Sequence, residues 1–119
     1  MDNCKNAGFN TVLFQVRGAG TVAYRSKIEP WAEEFGGHDP GFDPLAVACK
    51  EANRRGLNLH AWVNVMPGYR GKEPPRDQRQ LYNAHPDWFL RDAYGKRQPL
   101  GWYDSLNPCY PEVRRYLTT

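Results

Sequence analysis

Two stretches of the chain alternate apolar and polar side chains and turn polar at their ends. The first, Phe9-Asn10-Thr11-Val12-Leu13-Phe14-Gln15-Val16-Arg17, is rich in β-branched and aromatic residues and stops at Gly18. The second is Leu57-Asn58-Leu59-His60-Ala61-Trp62-Val63-Asn64-Val65-Met66. Short apolar runs of this kind predict buried parallel strands. Between them the period changes. Leu45, Ala48, Cys49 and Ala52 recur at i, i+3, i+4 and i+7, the spacing of one helix face, and predict a helix over 44–55 that packs on the sheet through those four side chains. Asp43 is placed to accept backbone N–H bonds of the first turn, and Pro44 fits the first helical position, where a missing N–H costs nothing. Gly56 stops the helix. Strand, long connection, helix, tight turn and strand make a βαβ unit with a right-handed crossover.

The flanking segments are less regular. Residues 1–7 read as the last turns of a helix, with Gly8 at its C′ position. Residues 18–42 form a long connection with five Gly and two Pro, tacked down by Tyr24, Trp31 and Phe35. Residues 67–77, with Pro67, Pro74 and Pro75 among charges, read as a loop, and Gln78 to Ala84 as a short helix. Trp88-Phe89-Leu90 and Gln98 to Tyr103 are candidates for a small hairpin turning near Tyr94-Gly95-Lys96. Pro111 to Leu117 reads as the first turns of a helix. The expected fold class is α/β, a partial (β/α)8 barrel with parallel strands near 9–17 and 57–66. A complete barrel needs about 250 residues, so the 119 residues are expected to be part of a single barrel domain.

Side chains alternate in direction along a strand, and barrel enzymes place their sites at the carboxyl ends of the strands, on the inward set. In the first strand Val12, Phe14 and Val16 form one set; Thr11, Leu13, Gln15 and Arg17 form the other. In the second, Leu59, Ala61, Val63 and Val65 form the apolar set, and His60, Trp62 and Asn64 the other. Two neighbouring strands thus aim amide, guanidinium, imidazole and indole groups at one region. Such groups cost roughly 1–3 kcal/mol each if buried without partners. They call for a ligand or for one another, and Arg17 could instead meet a carboxylate supplied by the part of the barrel outside these residues. His60 taken alone reads as a core histidine; its candidacy rests on its neighbours.

Hydrolysis of a glycosidic bond requires two carboxyl groups, and neither strand end carries one. Glu29, Glu33, Glu34 and Asp39 lie in the long connection, Asp43 serves as a cap, and Asp87, Asp92 and Asp104 fall in the later segment. No catalytic residue is identified from this pattern. His38 and His85 have no ligand spacing to His60, so no metal site is expected.

Composition changes the picture little. Sixteen Lys and Arg against thirteen Asp and Glu leave a formal charge of +3, and the basic residues form no run. A nucleic-acid or membrane-surface partner is not indicated. Four Trp, seven Tyr and five Phe suit either a packed core or the stacking of sugar rings. Cys4, Cys49 and Cys109 form neither a disulfide framework nor a zinc site, and Cys49 is expected to be buried. No membrane span, signal peptide or Gly-rich phosphate loop is visible, and no cofactor is expected.

In order along the chain, several blocks resemble the glycosyl-hydrolase-like 10 family of bacterial carbohydrate-active enzymes. They are Gly8 to Val12 leading to Phe14-Gln15-Val16-Arg17; Tyr24-Arg25-Ser26-Lys27 with Glu29-Pro30-Trp31; Pro40 to Leu45; Arg55-Gly56-Leu57; His60-Ala61-Trp62-Val63-Asn64; His85 to Phe89; and Leu106-Asn107-Pro108 with Pro111 to Arg114. The family often follows its strand-end Asn directly with Pro-Tyr-Arg, whereas here Asn64 is separated from Tyr69 and Arg70 by Val65, Met66, Pro67 and Gly68. The resemblance implies a (β/α)8 barrel, hydrolysis of a polysaccharide, peptidoglycan glycan strands among the substrates, and export to the cell envelope. It implies substrate contacts from Gln15, Arg17, His60, Trp62, Asn64, Tyr69 and Arg70, with the acidic residues supplied by later strands. A non-catalytic glycan-binding barrel is the alternative.

Overall fold

The computed structural model describes residues 1–98 and 101–119. A short helix α1 (Asp2–Asn6) leads into strand β1 (Thr11–Arg17). Gly8 sits between them at φ 84°, a left-handed conformation that only glycine adopts without penalty. Helix α2 (Pro44–Arg54) follows the long connection, then β2 (Asn58–Val63). Strands β1 and β2 pair in parallel, so the predicted βαβ unit is present. At the start of α2 the Asp43 carboxylate accepts from the Ala46 N–H at 3.1 Å, with Pro44 in the first turn. Gly56, at φ 63°, lets the chain reverse at once into β2.

Helix α2 buries a narrower stripe than the periodicity suggests. Pro44, Ala48 and Ala52 are buried and Leu45 is half-buried, whereas Cys49 is exposed, contrary to expectation. The buried line runs at i, i+4 and i+8, and Cys49 lies one step, about 100°, round from Ala48 on the helix wheel. Two strands are too narrow a floor to reach it.

The connection from 18 to 42 is pinned by backbone pairing. The Val22 N–H bonds the Pro30 carbonyl at 3.0 Å and the Ala32 N–H bonds the Val22 carbonyl at 2.9 Å. Trp31 and Phe35 meet edge to face at 6.2 Å, the latter in a 3-10 turn (Glu33–Phe35), and Tyr24 is half-buried. Within this connection the Ser26 hydroxyl accepts the N–H groups of Ile28 and Glu29 at 3.0 and 3.1 Å, a side-chain turn that presents Glu29 inward.

The second half departs most from the sequence reading. The expected loop contains a strand, β3 (Pro67–Tyr69), antiparallel to β4 (Asp104–Ser105). Three-residue strands carry too little period-2 pattern to be seen, and a proline at the first position masks this one. Helix α3 (Leu81–Ala84) is capped by the Gln80 side chain, and a 3-10 turn (Pro86–Trp88) follows. The expected hairpin is real at its tip: Arg91 bridges Arg97, and the Asp92 carboxylate accepts the N–H groups of Tyr94 and Lys96, both at 2.9 Å. Phe89, however, pairs with Leu106, so this segment lies beside the chain after β4 as well. Residues 99 and 100 of the expected second arm lie outside the described residues. Helix α4 (Pro111–Leu117) matches its predicted bounds.

These elements enclose a compact cluster of Tyr69, Leu81, Phe89, Leu106 and Val113, flanked by Met66, Tyr82, Trp88, Tyr116 and Leu117. Gly20, at φ 69°, brings the two halves together. A Cβ there would stand 2.4 Å from the Gly68 carbonyl oxygen and 2.9 Å from Gln80 Nε2. The buried Gln80 amide fills this junction by donating to the carbonyls of Ala19 at 3.0 Å and Gly68 at 2.7 Å.

Candidate functional site

In the parallel ladder Leu13 lies beside His60 and Gln15 beside Trp62. Because residues two apart on a strand share a face, these four side chains stand on one face of the sheet. All four are exposed, Leu13 by 65% and Trp62 by 50%. The opposite face carries Val12, Phe14 and Val16, half-buried or buried on the side of α2, and Leu59, half-buried, whereas Ala61 and Val63 are exposed, so β2 is not the buried strand that its apolar run predicts. Just beyond β2 the Trp62 indole N–H donates to Asn64 Oδ1 at 2.8 Å, which fixes the ring and its exposed edge together.

Arg17 is placed differently. The register shifts between Gln15 and Arg17, so that Arg17 aligns with Val63. Such a bulge re-aims the side chain that follows it. The Arg17 guanidinium is 8% exposed for the residue as a whole and turns to Glu29, with Nε 2.9 Å and Nη2 2.6 Å from carboxylate oxygens. Its Nη1 donates to the carbonyls of Asn64 and Val65, the latter at 2.9 Å. The Tyr116 hydroxyl donates to the same carboxylate at 2.9 Å. Burial, then the negative charge of Glu29, pushes the Tyr116 phenol well above its ordinary value. Arg17 thus ties β1, the long connection, the exit of β2 and α4 into one buried knot, and holds the backbone of Asn64 at the end of the exposed face. The carboxylate that it needs comes from within the chain.

Tyr69 is buried in the second cluster, 4.7 Å from the Tyr82 ring, and its hydroxyl donates to the Glu73 carbonyl; burial raises its pKa. Arg70 is exposed and lies over the Trp102 ring at 5.3 Å. The structure therefore brings Gln15, His60, Trp62 and Asn64 together, sets Arg17 beneath them, and places Tyr69 and Arg70 in and on the β3–β4 unit.

Among the described residues, no carboxylate stands on the exposed face of β1 and β2. Glu29 is committed to Arg17 and Tyr116, and Asp104 lies 3.7 Å from Arg97, itself sandwiched between the Tyr82 and Phe89 rings. Amide, imidazole and indole groups of this kind can bind hydroxyls and stack on a pyranose, and imidazole can carry a proton. They do not supply the acid and the nucleophile of glycoside hydrolysis. Among the described residues no helix is long and apolar enough to cross a membrane. Sequence reasoning missed Gln80 and the Glu29 pairing, since neither residue lies in a periodic segment.

The whole chain, residues 1–119, matches the family described as glycosyl hydrolase-like 10. The chain belongs to this glycosyl hydrolase-like 10 family. It is 34% identical over 132 aligned positions to the glycosyl hydrolase DigH of Escherichia coli (strain K12), covering 100% of this chain and 28% of DigH. To the glycosyl hydrolase YngK of Bacillus subtilis (strain 168) it is 33% identical over 125 positions, covering 98% of this chain and 22% of YngK. The chain spans about a quarter of the length of these curated relatives. For a glycosyl hydrolase-like 10 chain the TIM-like fold accords with a mixed helix–strand structure built on a parallel pair.

Proposed function

We propose that residues 1–119 form part of a single (β/α)8 barrel of a glycoside hydrolase, and that the exposed face of β1 and β2 binds the glycan. The observation that carries this reading is the ladder placing Gln15 beside Trp62 and Leu13 beside His60, with Trp62 half-exposed and steadied by Asn64. In a barrel this face points inward, and Gln15, Trp62 and Asn64 stand toward its carboxyl-terminal mouth. Trp62 stacks on a sugar ring, Gln15 and Asn64 bond its hydroxyls, and His60 lines the floor. Arg17 acts from below as a positioning residue, through its hold on the Asn64 backbone. Tyr69 and Arg70 extend the cleft. The substrate is a bacterial polysaccharide, with peptidoglycan glycan strands the leading candidate, and no metal or cofactor takes part. The catalytic carboxylates come from strands beyond this chain.

A second reading, a glycan-binding barrel without catalysis, is favoured by one observation: the face has no carboxylate, and Glu29 and Asp104 are both engaged by arginines. Both readings are tested by incubating the full-length gene product and the 119-residue chain with a panel of polysaccharides and denuded peptidoglycan and measuring new reducing ends. The hydrolase reading expects turnover by the full-length protein and none by the chain, because loose placement of a reacting group by about 1 Å already costs a hundredfold in rate. Binding by the full-length protein without turnover across the panel would select the non-catalytic reading.

A further inference from the structure

The connection that leaves β1 and the connection that leaves β2 meet at one buried side chain. Gln80 is 2% exposed. Its Nε2 donates to the carbonyls of Ala19 at 3.0 Å and Gly68 at 2.7 Å, and its Oε1 accepts the Tyr82 N–H at 2.6 Å. Both N–H groups of the amide thus tie segments 61 and 12 residues away along the chain, while the oxygen caps α3. Gly68 has no partner in the β3–β4 register, which passes from Pro67 beside Ser105 to Tyr69 beside Asp104, so its carbonyl is left for Gln80. Gly20 leaves room for the bond, since a Cβ there would stand 2.9 Å from Nε2.

The β1–β2 and β3–β4 pairs are separate sheets. The chain between them, Asn64 to Gly68, is held at its start by Arg17, through the carbonyls of Asn64 and Val65, and at its end by Gln80, through the carbonyl of Gly68. Trp62 and Asn64 stand at the first end of this segment, and Arg70 follows the second. Resting on the glycan-binding reading above, we infer that Gln80 is a positioning residue: it sets the separation between the Trp62–Asn64 contact and the Arg70 contact, and so the length of glycan that engages both. A ligand held at two points gains the second contact in full only where the two are already fixed at a matching separation, because ordering them on binding offsets the gain. Gln80 touches no sugar in this account. It acts through the backbone of Ala19, next to the exit of β1, and of Gly68, two residues before Arg70.

The test uses the full-length gene product with a disaccharide and a hexasaccharide cut from denuded peptidoglycan, with affinities measured by calorimetry and thermal midpoints alongside. The unaltered protein is expected to prefer the hexasaccharide by about tenfold, the worth of one charged hydrogen bond, and Arg70→Ala to erase that preference. Gln80→Glu keeps an oxygen to cap α3 and loses both N–H donors. It should cut the preference to about twofold or less and leave disaccharide affinity within about twofold. Gly20→Ala disturbs the same junction without altering Gln80 and should cut the preference too. Combined with Arg70→Ala, Gln80→Glu should change the preference no further, since both act on one contact. A merely structural role would lower the midpoint and weaken both sugars in parallel, and that result overturns the inference. So does a preference that survives in folded Gln80→Glu and Gly20→Ala, or one that is absent from the unaltered protein while Trp62→Ala still abolishes disaccharide binding; in each of these cases the glycan-binding reading stands. No binding of either sugar, or of any polysaccharide in the panel, overturns both.

Discussion

Replacing Glu29 by alanine removes the acceptor for three donors at once. In the folded chain its carboxylate takes Nε and Nη2 of Arg17, the latter at 2.6 Å, and the Tyr116 hydroxyl at 2.9 Å, in a place where Glu29 is 7% exposed. Afterwards the guanidinium keeps only the carbonyls of Asn64 and Val65, and two of its nitrogens face a void. Stranding one member of a buried ion pair costs roughly 3–5 kcal/mol. That is from about a fifth to all of the stability of a marginal domain, which is about 5–15 kcal/mol. Glu29→Gln keeps one oxygen and the shape, so it should cost less, about 1.5–3 kcal/mol for the weakened charged hydrogen bonds. The double replacement Arg17→Met with Glu29→Leu leaves no charge stranded and should recover most of the loss. Urea unfolding of the full-length protein reads all three. A loss below about 1 kcal/mol for Glu29→Ala, with unchanged denaturant slope, would mean that the Arg17–Glu29 pair is not buried as described, since that is the range of a solvated surface pair.

Three further outcomes follow from local geometry. Asp43→Ala should cost about 0.5–2 kcal/mol through loss of the α2 cap, and Asp43→Asn much less; denaturant midpoints decide, and loss of activity without loss of stability would reassign Asp43 to the site. Gly20→Ala should cost about 2–3 kcal/mol, because it combines a left-handed backbone with a Cβ driven into the Gly68 carbonyl, and a fall in thermal midpoint is the readout. Tyr116 has a folded pKa raised above its ordinary 10.0, so its proton is held more tightly when folded. Its contribution is therefore complete below about pH 10 and lost as pH rises through the folded value; stability measured from pH 8 to 11 should fall less steeply in Tyr116→Phe than in the unaltered protein.

Much of the first half could be read from the chain because its signals are local and mutually consistent. Alternation over Thr11–Arg17 and Asn58–Val63, a proline-started helix capped by Asp43, and a glycine at each turn all point to one βαβ unit. The pairing of Gln15 with Trp62 needs nothing more than that alternation and parallel register. Arg17 shows where alternation fails: a register shift after Gln15 cannot be seen in sequence, and its partner Glu29 lies 12 residues away in an irregular segment. Cys49 fails for a related reason, since periodicity gives the apolar face of a helix but not the width of the floor beneath it. The β3–β4 pair was invisible because its strands are three and two residues long and lie far apart in the chain.

On the proposed function, the face shared by β1 and β2 holds the glycan. The direct measurement is the rate of reducing-end release from denuded peptidoglycan by the full-length protein and by its Trp62→Ala and Gln15→Ala variants, with thermal midpoints measured alongside. Trp62 is half-exposed and Gln15 exposed, so neither replacement should lower the midpoint appreciably. Trp62→Ala should lower kcat/KM by about fivefold to a hundredfold, the equivalent of one stacking contact of about 1–3 kcal/mol, and Gln15→Ala by less. Unchanged kcat/KM in both variants, with the protein active and folded, would contradict that reading.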